Sequence, residues 1–204
     1  MKKNYFLFIV LFLLAIPFSS FGQGGSGIAV EYTASPFGSS SFLTPGNIRA
    51  KFLAGNLGFR LGLNTTVSNN EPEPTTITHV GFFDLRPGAE FHTTIGGKAS
   101  PYAGAELIIM NRSSNLNSTS QLGIANATNE FGANQAYFGF GGALFAGIDY
   151  YIGEKFYFGF EVGLDLVNLT YKDVTMADEI IIESTKDFSM NTNFANTLKL
   201  GLNF

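Results

Sequence analysis

Two alternating runs, Phe138 to Tyr150 and Phe156 to Leu166, face each other across the short turn Ile152-Gly153-Glu154-Lys155. In the second run Phe156, Phe158, Phe160, Val162, Leu164 and Leu166 hold the even places, and Tyr157, Gly159, Glu161, Gly163 and Asp165 the odd ones. Successive side chains of a strand point to opposite faces, so one face of this hairpin is apolar throughout and the other is small or charged. Long strands divided in this way suit a sheet set between an apolar medium and a polar interior.

The same period recurs along the chain. Ile28 to Ala34 alternates first, and Ser35 to Pro45 reads as loop. Asn47 to Ala54 and Leu57 to Asn64 are joined by Gly55-Asn56, a tight hairpin signal. Ser68 to Thr76 reads as a polar loop, followed by runs from about Thr78 to Thr93 and from Ser100 to Arg112 around Gly96-Gly97. Ser113 to Gln135, rich in Asn, Ser, Thr and Gly, reads as loop. The opening hairpin supplies two more runs, Asp173 to Met190 is a long connector, and Asn193 to Phe204 is the last run. The expectation is an all-β chain of eight antiparallel strands, with connectors alternating between short and long. Pro87, inside the fourth run, predicts a bulge or a break in the ladder, because it has no N–H to donate.

Lys2-Lys3, the apolar stretch Tyr5 to Ile16 and Ser20-Phe21-Gly22 have the order of a secretory signal peptide, which predicts a leader over 1–22 and a barrel domain over 23–204. The apolar stretch is shorter than the ~20 residues of a spanning helix and is broken by Pro17. The chain has no cysteine, which excludes a disulfide framework and a lipid-modified cysteine. With Lys2 and Lys3 set aside, 10 of the 12 basic residues face 16 acidic ones, a balance of −6 that gives no nucleic-acid footprint.

Parity assigns Arg49, Lys51, Arg60, Arg86, Arg112 and Lys199, with Glu31, Asp84, Glu90, Glu106, Asp149, Glu161 and Asp165, to the face that carries the glycines. Every other charge after the leader falls in a connector or at a strand end. A Lys or Arg on a lipid face costs roughly 2–4 kcal/mol at mid-membrane, so the outer face of a spanning barrel must be free of charge. A soluble lipocalin-type barrel would reverse the pattern. Eight strands leave an interior just wide enough for side chains, so these thirteen charges are expected to pair as a plug, with an ion or proton path as the alternative. Phe91, Tyr150, Phe156, Phe158 and Phe204 toward the short turns, and Tyr32, Phe83, Phe138 and Phe194 toward the long connectors, would form two aromatic girdles.

The last run ends on Phe204, preceded at alternate places by Leu198, Leu200 and Leu202. It looks like the assembly signal of bacterial outer-membrane proteins, which implies recognition by the barrel-assembly machinery. The chain as a whole resembles small eight-stranded outer-membrane β-barrels of the OmpA/OmpX type, in particular the barrel domain common in Bacteroidetes. The likeness is carried by Ile48-Arg49-Ala50-Lys51-Phe52, Phe59-Arg60-Leu61-Gly62-Leu63, Leu85 to His92 and Ser100-Pro101-Tyr102-Ala103-Gly104. The resemblance implies an up-and-down transmembrane barrel with short periplasmic turns and long outer loops. It also implies a monomer in outer-membrane lipid, without a cofactor. Cell-wall tethering, which larger members carry in a separate domain, is not carried over.

Catalysis has little to stand on. His79 and His92 are the only histidines, parity points them to different faces, and neither has a serine two residues away, the pairing of small outer-membrane lipid deacylases. The glycines of the sixth and seventh runs form no phosphate loop. Function is expected to be structural or to lie in surface binding through the outer loops. A narrow pore, or a soluble ligand-binding barrel, is the alternative. Within the last long connector, Glu179-Ile180-Ile181-Ile182-Glu183 is a β-branched run flanked by acids, expected either to offer an edge to a partner or to pack on neighbouring loops.

Overall fold

A computed structural model describes residues 27–34, 48–73, 75–93, 97–118 and 123–204, with the backbone alone described for Ala34, Pro72, Glu73 and residues 192–197. The leader expected over 1–22 and the loop at 35–45 lie outside these residues. The described elements are all strands: β1 (Gly27–Ala34), β2 (Ile48–Ala54), β3 (Leu57–Glu73), β4 (Thr76–His92), β5 (Ala99–Ser118), β6 (Ile124–Ala125), β7 (Tyr137–Ile152), β8 (Phe156–Tyr171), β9 (Val174–Met176), β10 (Glu179–Ile182) and β11 (Lys186–Asn203).

Eight of them close into an antiparallel barrel, as the alternation predicts. β1 to β5 pair in sequence order, β5 pairs with β7, β7 with β8 and β8 with β11, and β11 returns to β1 through Ala29↔Asn203 to Ala34↔Leu198. Because the strands alternate in direction, Gly55-Asn56, the end of β4, the start of β5 and residues 153–155 share one end with the start of β1 and the end of β11. This end is called proximal below, and the opposite end distal.

The strands extend further than alternation predicts. β3 and β4 run through most of the segment read as the loop Ser68 to Thr76, with Asn70↔Thr78 still in register. β5 continues to Ser118, and β11 starts at Lys186 inside the connector that had been placed at Asp173 to Met190. Glu71 and Glu73 therefore sit in β3, Glu179 in β10, and Lys186 and Asp187 in β11. In the distal part of β3, Ser68-Asn69-Asn70-Glu71 is polar on both faces, and a strand without a one-sided burial demand carries no period-two signal. At Pro87 the register does not shift. The β4–β5 ladder runs to Leu85↔Ile109 and resumes at Gly88↔Glu106, so the break falls at the missing donor. The irregularity in the other long hairpin lies instead in β11, between Asn193 and Thr197.

Inward glycines make room for large neighbours. A Cβ on Gly201 would overlap the Tyr157 ring, one on Gly159 would overlap the Asp149 carboxylate, and one on Gly147 would meet the Tyr102 hydroxyl. Gly163, by contrast, leaves ordinary contact distance. Replacing Gly201 with valine should therefore destabilise the barrel by about 1–3 kcal/mol through overpacking. Gly163→Ala should change stability by less than about 0.5 kcal/mol. The urea midpoints of the two variants test this contrast.

Candidate functional site

The lumen is built from the inward residues of all eight barrel strands. Proximally, Lys51 Nζ lies 2.6 Å from Glu90 Oε1 and 2.9 Å from Glu31 Oε1, with Asp149 Oδ2 at 3.5 Å. Lys199 Nζ is 2.8 Å from Asp149 Oδ1 and 3.3 Å from the same Glu31 oxygen. Both ammonium groups approach the Tyr102 ring, at 5.0 Å and 4.1 Å from its centroid. Tyr102 donates its hydroxyl to Glu161 at 2.9 Å, and Tyr157 donates to Glu31 at 2.7 Å.

Further along, Arg60 is the hub. It donates through Nε and Nη2 to Glu106 Oε2, at 3.0 and 2.6 Å, and through Nη1 to Glu161 at 2.7 Å, with its guanidinium stacked on Phe145. Arg49 holds the other Glu161 oxygen at 2.9 Å. Arg86 joins Asp84 at 3.0 Å, Asp165 at 3.0 Å and Glu106 at 3.3 Å. Twelve of the thirteen charges assigned to the lumen by parity thus meet in one network. Arg112 is placed apart, its guanidinium 4.9 Å from the Tyr137 ring.

The sequence places His92 near one rim and His79 near the opposite strand end, but the partners of His92 and the apolar patch of the lumen wall were not read from it. His92 is buried at the proximal mouth, 2.8 Å from Glu90 through Nε2 and 2.9 Å from Ser100 Oγ through Nδ1, and is stacked on Tyr102. His79 lies at the distal end beside Asn69, so the two imidazoles are far apart along β4. Beside the lumen charges the wall made by β5, β7 and β8 carries an apolar patch, in which Ile108, Ala143 and Val167 are buried together with Met110 and Leu169 against them. Parity places Ile108 and Met110 on the face of Glu106, a signal obscured by attention to charge alone.

At the distal end the connectors fold into a cap. Ile124, Ala127 and Val174 are buried with Leu116, Met176 and Ile182 around them. Asn126 Nδ2 donates to the Asp173 carbonyl, and Gln135 Nε2 to the Lys172 carbonyl, both at 2.8 Å. The run Glu179 to Glu183 supplies β10, which pairs with β9 through Glu179↔Met176 and Ile180↔Thr175. Leu198 and Leu200 face outward on β11, followed by Leu202 and Phe204 at its end. Of the girdle residues, Phe91, Tyr150, Phe156, Phe158, Tyr32, Phe83 and Phe138 are exposed on the outer face, and the Phe194 side chain lies outside the described set.

The two kinds of lumen cation should respond differently to removal. Lys51→Met takes from Glu31 and Glu90 their shortest cation contacts, leaving Glu31 to Lys199 and Glu90 to His92 and Arg60, and should cost about 3–5 kcal/mol, the range for a buried charge deprived of a partner. Arg112→Met leaves no described ion pair broken and should cost under about 1.5 kcal/mol. Equilibrium unfolding of both variants checks the difference. In comparisons with known proteins, no family model matches this chain, and no curated protein matches it either.

Proposed function

We propose that this chain is an integral outer-membrane β-barrel with a filled lumen, non-enzymatic, which acts structurally or as a surface-binding protein through its distal connectors. The observation that carries this proposal is the inversion of the two faces. Charged side chains such as Glu31, Lys51 and Lys199 are fully enclosed, while Ile48, Phe59, Leu144, Phe156 and Leu200 stand exposed on the outside. A soluble monomer rarely exposes a continuous apolar surface of more than a few hundred Å². Lipid around the barrel removes that cost, and a closed sheet leaves no unpaired barrel edge in lipid. The proximal turns at Gly55-Asn56 and residues 153–155 would then be periplasmic, and the distal cap would face outward.

The ion-pair network supports a closed barrel over a pore, because Arg60 of β3 spans the interior to Glu106 of β5 and Glu161 of β8. The barrel would therefore offer its partners a surface and give solutes no channel. Phe204 and the alternate leucines before it fit recognition by the barrel-assembly machinery.

The chain should sediment with membranes after an alkaline wash and be released by detergent. Recovery in the soluble fraction would end the membrane assignment. In planar bilayers the refolded protein should give no stable conductance step, and long-lived openings would favour the narrow-pore alternative. Leu144→Arg, on the outward face of β7, should cost roughly 2–4 kcal/mol in lipid vesicles, the range for a charge near the midplane. A neutral effect would contradict a lipid-facing position.

A further inference from the structure

The cap ends in an open strand edge. From barrel strand β5 the ladder passes to β6 through Asn115↔Ala125, to β9 through Ala125↔Thr175 and to β10 through Ile180↔Thr175, and among the described residues it stops there. The edge is held in place. The β9–β10 turn, Ala177-Asp178, has both residues at positive φ (52° and 65°), which fits the twist of a two-residue hairpin. Ser184 N–H donates to Asp173 Oδ1 at 2.6 Å, and Ile182 packs into the cap core. A fixed strand has little ordering entropy left to lose when another strand pairs with it.

Exposed edges are usually blunted by charges, Pro, shortness or bulges, and β10 is four residues long with a register shift between Ile180 and Ile182. Here the edge carries Ile180 (58% exposed) and Ile181 (36% exposed), bracketed by Glu179 and Glu183. Phe131, 84% exposed beside Glu130, stands on the neighbouring loop, whose Gly132 lies against Ile182. The acids decide which occupant fits. Antiparallel self-pairing centred on Ile181 would set Glu179 of each copy opposite Glu183 of the other, and like charges directly opposite are destabilising. Cations at those places would be favoured.

We propose that the free edge of β10 captures an extended segment of another protein, apolar at its centre and cationic at both flanks, by adding it as a further strand. Backbone pairing supplies the attachment, Glu179 and Glu183 select the charge, and Ile180, Ile181 and Phe131 supply apolar contact. The inference rests on the proposed surface role of the distal end, and names its partner class.

The probe is a fluorescent nonapeptide, Thr-Thr-Lys-Val-Val-Val-Lys-Thr-Thr, titrated by anisotropy against the full-length protein in detergent micelles. Saturable binding is expected, weakened about tenfold or more in the E179K/E183K variant, where two opposed charge pairs become repulsive. The same peptide N-methylated on alternate amides, in either phase, should bind more weakly to the wild type in the phase that faces β10. Equal binding of both N-methylated forms would overturn strand addition, and equal binding by the charge-reversed variant would overturn the role of the acids. Absence of saturable binding would overturn the proposal, leaving the edge to another segment of this chain. Dimerisation abolished by Ile181→Lys would overturn it in favour of a second copy. Membrane fractionation, read separately, tests the membrane assignment, so either reading can fail while the other stands.

Discussion

Closure of the sheet between β1 and β11 is the constraint on which the other features depend. Once Ala29 pairs with Asn203 and Tyr32 with Leu200, every barrel strand has a neighbour on both sides, and the outer surface can be apolar without exposing a backbone edge. Closure of only eight strands also fixes a narrow interior. Each inward side chain must then fit against those across from it, which is why Gly201 stands beside the Tyr157 ring and Gly159 beside Asp149 and Lys199. Charges enclosed in so small a space must neutralise one another, and the tight packing of Lys51, Lys199, Glu31 and Asp149 meets that demand.

The lumen holds an ion-pair network knitted by Arg60 and by the hydroxyls of Tyr102 and Tyr157, with the apolar side chains of Ile108, Ala143 and Val167 packed beside it on β5, β7 and β8. Buried ion pairs add little net stability over well-packed apolar side chains, but each is intolerant of losing one member. The network therefore acts as a mutual dependency among all eight barrel strands. The distal cap has a small core of its own, made by Ile124, Ala127 and Val174.

Alternation made the barrel legible wherever one face had to differ from the other. In β8 the apolar side chains at Phe156, Phe158 and Phe160 and the acids at Glu161 and Asp165 were enough to assign both faces. It failed at the distal ends, where Asn69 and Asn70 pair with His79 and Thr78 in strands wet on both sides. Pairing across chain distance was also hidden. Nothing local in Ser113 to Gln135 announces that Ile124 will meet Met176, and the two-residue β6 is too short to show a period. The bond from His92 to Glu90 was accessible in principle, since the two are two residues apart and share a face. Arg112 shows the limit of parity, which groups it with the other lumen charges but cannot tell an ion pair from a ring contact.

The chain contains no tryptophan, so a single introduced indole reports its own surroundings without background. The most direct test of the inverted faces places it at Phe158 or Phe160 on the outer face, and at Tyr157 or Phe145 in the lumen, with the protein refolded into vesicles of lipids brominated on their acyl chains. Fluorescence quenched at the first pair and spared at the second is the expected result. Quenching at the lumen positions, or none at the outer ones, would contradict a barrel that holds its charges inside and turns its apolar face to lipid.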